Sequence, residues 1–215
     1  MKALITAGPT HEPIDPVRFI SNNSSGKMGI ALAEELASRG FEVTLIKGPT
    51  SLSVTNAKIR LLNVQTAAEM FNATAQYFAE SDVIVFAAAV ADYTPMHPSA
   101  VKIKKKEEEF SLELVKTKDI AAELGKLKKP SQVSVGFALE TDNELQSAQE
   151  KLTKKNFDFI ILNSINDAGS GFQYDTNKIT IIDSKRNVIK FDLKLKTEVA
   201  KDIVNYIQKI AASKQ

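Results

Sequence analysis

Ser21-Asn22-Asn23-Ser24-Ser25-Gly26-Lys27-Met28-Gly29 gathers hydroxyl donors, amide donors and two glycines just ahead of a helical pattern. Such a segment suits an anion. The unpaired N–H groups of a first helical turn and the positive end of the helix dipole face a ligand there, and glycine lets backbone approach it. A capped helix start, with Ser24 or Ser25 as N-cap, explains the same residues if the segment is taken alone. Two details of its setting favour a ligand. The spacing is neither GxGxxG nor a Walker A loop, since Gly26-Lys27 is followed by Met28, and about twenty loop-like residues from Gly8 onward separate it from the first strand. Loops of that length are uncommon in compact domains unless they serve function. Arg18 adds a cation beside the polar run, or is neutralised by Asp15 or Glu12; the sequence leaves both readings open.

Further clusters follow later strand-like runs. Ala87-Ala88-Ala89-Val90-Ala91-Asp92-Tyr93 places small residues where open α/β sheets bind ligands, with Asp92 able to hold a divalent cation or a nucleotide group, or to cap a turn. Lys102, Lys104 and Lys106 alternate, which gives either a solvated edge strand or cations for a phosphoryl group. Spacing alone does not decide between these. Phe137, in Gly136-Phe137-Ala138-Leu139-Glu140-Thr141, can stack on a base, although core packing is the stronger expectation for one Phe. Asn163-Ser164-Ile165-Asn166-Asp167 again ends a strand with small polar groups. Four such clusters at one end of a sheet would form a single crevice.

The elements that must position them follow from the hydrophobic pattern. Residues 3–6, 41–46, 83–88, 133–137 and 159–162 are apolar runs without alternation, separated by helical periodicity over 27–39, 67–79 and 144–155. A short helix from Asp119 to Gly125 and a final one over 197–212 complete the set. The pattern predicts an α/β, Rossmann-like fold: a mainly parallel sheet with helices on both faces. Residues 102–106 and 110–115 alternate and predict an exposed antiparallel hairpin, an appendage over about 100–116 of one domain spanning 1–215. Residues 177–182 and 188–191 predict a closing hairpin.

Composition removes several classes. The 215 residues contain no Cys, so disulfides, thiolate zinc sites and thiol nucleophiles are excluded. With His11 and His97 as the two imidazoles, a His-rich metal site is disfavoured. A net charge of +2 gives no whole-chain basic footprint for nucleic acid. No apolar stretch approaches a membrane span and the start does not read as a signal peptide, so a cytoplasmic location is expected.

In this order the clusters resemble phosphopantothenate–cysteine ligase, an enzyme family of coenzyme A biosynthesis. The matching segments are ITAGPTHEPIDPVRFISNNSSGKMG, AAAVADY, the KIKK run, VGFALET, KKNFDFIILNSIND, GSGF and DTNKI. The resemblance implies a two-step reaction. The carboxylate of 4'-phosphopantothenate attacks the α-phosphate of CTP and releases pyrophosphate; the amine of L-cysteine then attacks the acyl carbon, forming an amide and releasing CMP. ATP is the alternative nucleotide. Mg2+ is the implied metal, with Asp92 at it. By the same resemblance Asn22 stabilises the oxyanion of the second step, and Lys102 the charge developing at the α-phosphate in the first. Arg18, Ser24, Ser25, Gly26, Ala88 and Ala89 would bind the acid substrate, and Gly8, Asp92, Phe137, Lys155 and Asn163 the nucleotide.

Many bacterial members are fused to a flavin-dependent decarboxylase that performs the next step, so this chain is expected to be a free-standing form functionally linked to a separate decarboxylase. A homodimer joined through the 100–116 hairpin is also implied. An NAD(P)-binding oxidoreductase is the rival that the sheet pattern suggests. It requires a tight glycine turn and usually an acidic ribose ligand after the second strand, where this chain has Lys47-Gly48-Pro49.

Overall fold

The structure, a computed structural model, describes residues 1–104, 109–140, 142–164, 169–172 and 174–214. The apolar runs form the strands expected of them. β1 (Lys2–Ala7) leads through the short pair β2 (Glu12–Pro13) and β3 (Phe19–Ile20) into α1 (Lys27–Ser38), then β4 (Glu42–Lys47), β5 (Arg60–Asn63) and α2 (Ala67–Phe78). β6 (Val83–Phe86) is followed by β7 (Tyr93–Pro95), β8 (Leu114–Lys116), α3 (Ile120–Gly125), β9 (Val133–Glu140), α4 (Glu144–Lys154) and β10 (Phe159–Ser164). β11 (Thr176–Asn177), β12 (Ile179–Asp183), β13 (Val188–Lys190), β14 (Lys194–Leu195) and α5 (Lys196–Ala212) complete the chain.

Eight strands make the main sheet in the order β13-β12-β10-β9-β6-β1-β4-β5. The pairings from β10 to β5 are parallel, while β12 and β13 run antiparallel at one edge. Because successive strand residues face opposite sides, Ala3, Ile5 and Ala7 pack under α1 and α5, against Leu32, Leu36, Ile203 and Ile207. Leu4 faces the other layer, with Met70 and Phe78 of α2, Leu124 of α3 and Leu152 of α4. Each fully buried Leu or Ile there stabilises the fold by roughly 1.5–3 kcal/mol, so both helix layers contribute to holding the sheet. Helix starts are specified locally. Thr66 and Glu69 form a reciprocal capping box at α2, and the Asp119 carboxylate accepts from Ala122 N at α3.

Two expectations change. β5 was absent from the sequence pattern because it is a four-residue edge strand with exposed ends. The predicted hairpin of 102–106 with 110–115 does not form as drawn: residues 102–104 are outside any strand, and β8 pairs antiparallel with β7. Lys106 and the rest of 105–108 lie outside the described residues. Leu114 and Val115 are exposed yet paired, because β7 lies antiparallel beside them and is tied at its base by the bond from Thr117 N to Asp92 O. The small antiparallel pairs are instead β2–β3, β7–β8 and β11–β14.

Candidate active site

β1 pairs with β4 on one side and β6 on the other, so the strand order reverses between β1 and β6. Loops leaving the carboxyl ends of strands diverge at such a point and open a crevice. Here it is a cleft of about 420 Å³, reached by the ends of β1, β6, β9 and β10 and by the start of α1.

Asn22, Ser24, Ser25 and Gly26 line the cleft as expected from their loop. Gly26 is the N-cap of α1 at φ 77°, a left-handed conformation that favours glycine, and no side chain caps the helix. Neither serine takes the capping role the sequence allowed. Ser24 Oγ accepts from Gly26 N at 3.3 Å, and Ser25 Oγ donates to Phe172 O at 2.7 Å. Lys27, Met28 and Gly29, whose N–H groups form the first turn, all line the cleft. Gly29 permits this placement: a Cβ on it would stand 2.5 Å from the Ala7 Cβ.

The segment after β6 is held almost atom by atom. Ala89 N donates to Gly8 O at 2.9 Å. Asn22 Nδ2 donates to Ala89 O and Val90 O at 3.2 and 3.0 Å. Both amide hydrogens of Asn22 are therefore engaged, and its Oδ1 is the acceptor left for a ligand. Ala88, Ala89 and Asp92 line the cleft, as do Phe137, Lys155 and Asn163. Asn163 Oδ1 accepts from Asn177 Nδ2 at 3.1 Å. Ile165, Asn166 and Asp167 of the same cluster, and Thr141 after β9, lie outside the described residues.

Three expected residues are not brought into the cleft. Arg18 lines a separate groove, where its guanidinium is ion-paired to the buried Asp15 carboxylate and Nη2 donates to Ile103 O at 3.0 Å. The guanidinium and three backbone N–H groups hold that carboxyl well below the usual range. The Asp15 partnership, one of the two sequence readings, is thus the one present. Lys102 is exposed and outside the cleft lining, since β8 takes β7 as its partner and leaves residues 102–104 outside any strand. Gly8 lies beneath Gly26: a Cβ on Gly26 would be 3.2 Å from the Gly8 Cα. Gly8 shapes the floor through its backbone instead of touching the cavity.

Cations that sequence reasoning did not single out take their place. Lys27, Lys118, Lys151 and Lys196 join Lys155 on the cleft lining, against the carboxylates of Asp92 and Asp119. Lys151 is one helical turn from Lys155, the spacing that puts both on one face and the one signal that could have found it. Lys151 is held by Glu140 at 2.5 Å, and Lys155 by Asp119 at 3.1 Å. Lys196 is buried and donates to Gly171 O and Tyr174 O at 2.8 and 2.6 Å; burial, and then the neighbouring Lys27 charge, push its pKa down. Lys27 is paired with Asp175 at 2.6 Å, so three of the five lysines are already held by carboxylates, and Lys118 and Lys196 are the cations that remain to favour an anion. Among the described residues no group of three or more His, Cys, Asp or Glu side chains could enclose a metal. Asp119 is already engaged by Lys155 and by Ala122 N, so Asp92 is the lining carboxylate that could serve a Mg2+ keeping mostly phosphate and water oxygens.

A family model described as the DNA/pantothenate metabolism flavoprotein C-terminal domain matches residues 1–211. A protein named cysteine/cysteine sulfinic acid decarboxylase, from an unknown prokaryotic organism, is 54% identical over 96% of this chain and 57% of its own length. The coenzyme A biosynthesis bifunctional protein CoaBC of Haemophilus influenzae is 44% identical over 94% of this chain and 50% of its own length. The chain thus spans about half the length of these curated relatives. A crystal structure of the C-terminal domain of CoaBC superposes with a TM-score of 0.83 at 38% identity, covering 99% of this chain and 98% of that one.

Proposed function

We propose that this chain, which belongs to the family of the DNA/pantothenate metabolism flavoprotein C-terminal domain, is a phosphopantothenate–cysteine ligase that joins 4'-phosphopantothenate to L-cysteine at the expense of a nucleoside triphosphate. The observation that carries this reading is the switch-point cleft, where α1 presents an N-terminus with no side-chain cap and lysines from several elements line the same cavity. A carboxylate is a poor acyl donor until one of its oxygens becomes a good leaving group. Joining it to the nucleotide's α-phosphate does this, and the pyrophosphate leaving group must be neutralised as it departs.

The residues divide that work. The first-turn N–H groups of α1, with Lys151 and Lys155, hold phosphoryl oxygens, and Phe137 supplies a flat apolar wall for the base. The bacterial-looking motif spacing favours CTP, with ATP the alternative. Magnesium, when bound, adds charge neutralisation on the triphosphate. Ser24, Ser25, Ala88 and Ala89 leave room for the acid substrate. Asn22 stands beside the acyl carbon and, on exchanging one backbone carbonyl for the oxyanion, stabilises the second step by about 3–4 kcal/mol.

Lys102 and Arg18 stand outside the cleft of their own chain, so a part for either in this reaction calls for a rearrangement or a second copy of the chain. Both lie by an exposed apolar strip that includes Phe110, over which the Arg18 guanidinium sits at 6.0 Å. A homodimer formed through this strip would bring the two residues toward the partner's site. A cytoplasmic location fits the reaction, and among the described residues no helix is long and apolar enough to cross a membrane.

The decarboxylase name carried by the 54% relative suggests a different reaction. Decarboxylation of a cysteine derivative releases CO2 and no pyrophosphate, and it gives a lysine-rich phosphate cradle nothing to do. The deciding assay measures pyrophosphate released from CTP or ATP with 4'-phosphopantothenate, with and without L-cysteine. Release that requires the acid, with amide formed only when cysteine is present, is the expected result. No release from either nucleotide would overturn the ligase reading.

A further inference from the structure

The turn that carries Ala88 to Asp92 along the cleft keeps a single parallel bridge to the first strand's loop, Ala89 to Pro9, with Ala89 N on Gly8 O, so its other backbone groups must find partners elsewhere. Side chains from other segments supply them. Asn22 binds Ala89 O and Val90 O. The buried Thr10 Oγ1 accepts from Ala91 N at 3.0 Å. Thr117 supplies two bonds: its Oγ1 donates to Ala91 O at 2.6 Å, and its N donates to Asp92 O at 3.0 Å. The backbone N–H and C=O of Ala91, which belong to successive peptide units, are thereby both bonded to threonine hydroxyls.

Thr117 also occupies a junction. The chain leaves the cleft at Asp92 through β7 and returns along β8, which ends at Lys116. The bond from Thr117 N to Asp92 O closes this excursion at its base. Lys102 and the exposed side chains of Val101, Phe110 and Leu112 lie on the excursion beyond that closure. Immediately past it, Lys118 and Asp119 return to the cleft lining, and Thr117 itself is half-buried there.

We propose that Thr117 is a positioning residue of the ligase, fixing where Asp92 and the 88–91 turn stand against the bound substrates and isolating them from displacement of the exposed segment. The proposal rests on the ligase reading for its catalytic consequence; the geometry of the clamp does not depend on it. Asp92 and Ala91 need their backbone held because nothing in the main sheet holds them. A hydroxyl meets the requirement, and a methyl of the same shape does not.

Three variants test this. Thr117→Val keeps the volume and removes the hydroxyl, Thr117→Ser keeps the hydroxyl, and Thr74→Val removes a buried hydroxyl bond to Met70 O in α2, remote from the cleft. For Thr117→Val the expected result is a loss of roughly 10- to 100-fold in kcat for pyrophosphate release, the scale of a small misplacement of reacting groups. KM for the nucleotide should rise as well, because Asp92 is among the nucleotide's contacts, and the comparison with Thr117→Ser separates the lost hydroxyl from a general disturbance. Thr117→Ser should restore most of the rate, and Thr74→Val should lower Tm without lowering kcat.

Amide hydrogen exchange provides a readout independent of turnover, with Thr117→Val expected to speed exchange in peptides covering 87–95 and to leave α2 and α5 unchanged. Full kcat in Thr117→Val, or equal losses in Thr117→Val and Thr74→Val, would overturn the proposal. If the wild-type chain releases no pyrophosphate, the ligase reading falls, and unchanged exchange over 87–95 would then remove the clamp as well.

Discussion

At the scale of single residues the cleft is a matter of which hydrogen-bond donors are free and which are taken. Asn22 shows this most sharply, because its two N–H donors already hold the carbonyls of Ala89 and Val90. Asn22→Asp replaces both donors by carboxylate oxygens facing two carbonyl oxygens. The acyl-nucleotidylate is therefore expected to form and to turn over slowly with cysteine, while Tm falls as the 89–90 turn loses its support. Quenched-flow measurement of the intermediate checks it: amide formation at the wild-type rate would sink the oxyanion role. Asn22 and the serines beside it were legible in the sequence because they are contiguous, and their types are unusual together. Lys118, Lys196 and Thr117 were not, since Thr117 and Lys118 lie in a short connection, Lys196 starts a distant helix, and each is ordinary in its own neighbourhood. The cleft lysines meet only after folding has brought α1, α4, α5 and the segment before α3 to one cavity.

At the scale of elements the decisive contact is between α1 and β1. The helix must lie close enough to the sheet for its first turn to reach the cleft, and Gly29 against Ala7 sets that distance. Gly29→Ala places a Cβ 2.5 Å from the Ala7 Cβ, so the N-terminal end of α1 must lift away. Overpacking of this kind costs about 1–3 kcal/mol. Gly40→Ala is the comparison: it introduces strain at φ 85° but meets no atom within 4 Å. Both variants should lower Tm, and only Gly29→Ala should weaken nucleotide binding by calorimetry. Equal binding by the two would show that α1's position is not what the ligand reads. The helices and the parallel strands were readable as elements because burial on both faces leaves unbroken apolar runs. The 102–115 hairpin was misread in its pairing. Alternation there predicted an exposed hairpin of 102–106 with 110–115, and exposure and an antiparallel ribbon are both present, but β8 takes β7 as its partner where Thr117 brings the two together.

For the molecule as a whole, the last helix closes one face of the sheet, and its grip is expected to depend on pH at the alkaline end. Tyr206 of α5 sets its ring edge-on to Phe159 of β10, with centroids 4.9 Å apart, and donates its hydroxyl to Asp183 Oδ2 of β12 at 3.0 Å. Burial, and then the hydrogen bond to Asp183, raise its pKa to about 12, against about 10 for a free tyrosine. A raised value means that the folded state holds the phenolic proton more tightly. This contribution is fully present below about pH 10 and is lost as pH rises through about 12. Tyr206→Phe removes the hydroxyl but keeps the ring. Asp183 stays satisfied by Asn187 and the Lys185 amide, so the cost at neutral pH should be only about 1 kcal/mol. Denaturant melts of the two proteins at pH 8 and pH 11.5 give the test, because the difference between them cancels the titration of every other group. The wild-type advantage should shrink at the higher pH, and an advantage of the same size at both would mean that the phenol is not titrating against the folded state. The dependence matters for the cleft because Lys196, at the start of the same helix, holds the carbonyls of Gly171 and Tyr174 beside it. A loosened α5 should therefore be felt first as slackening of that wall.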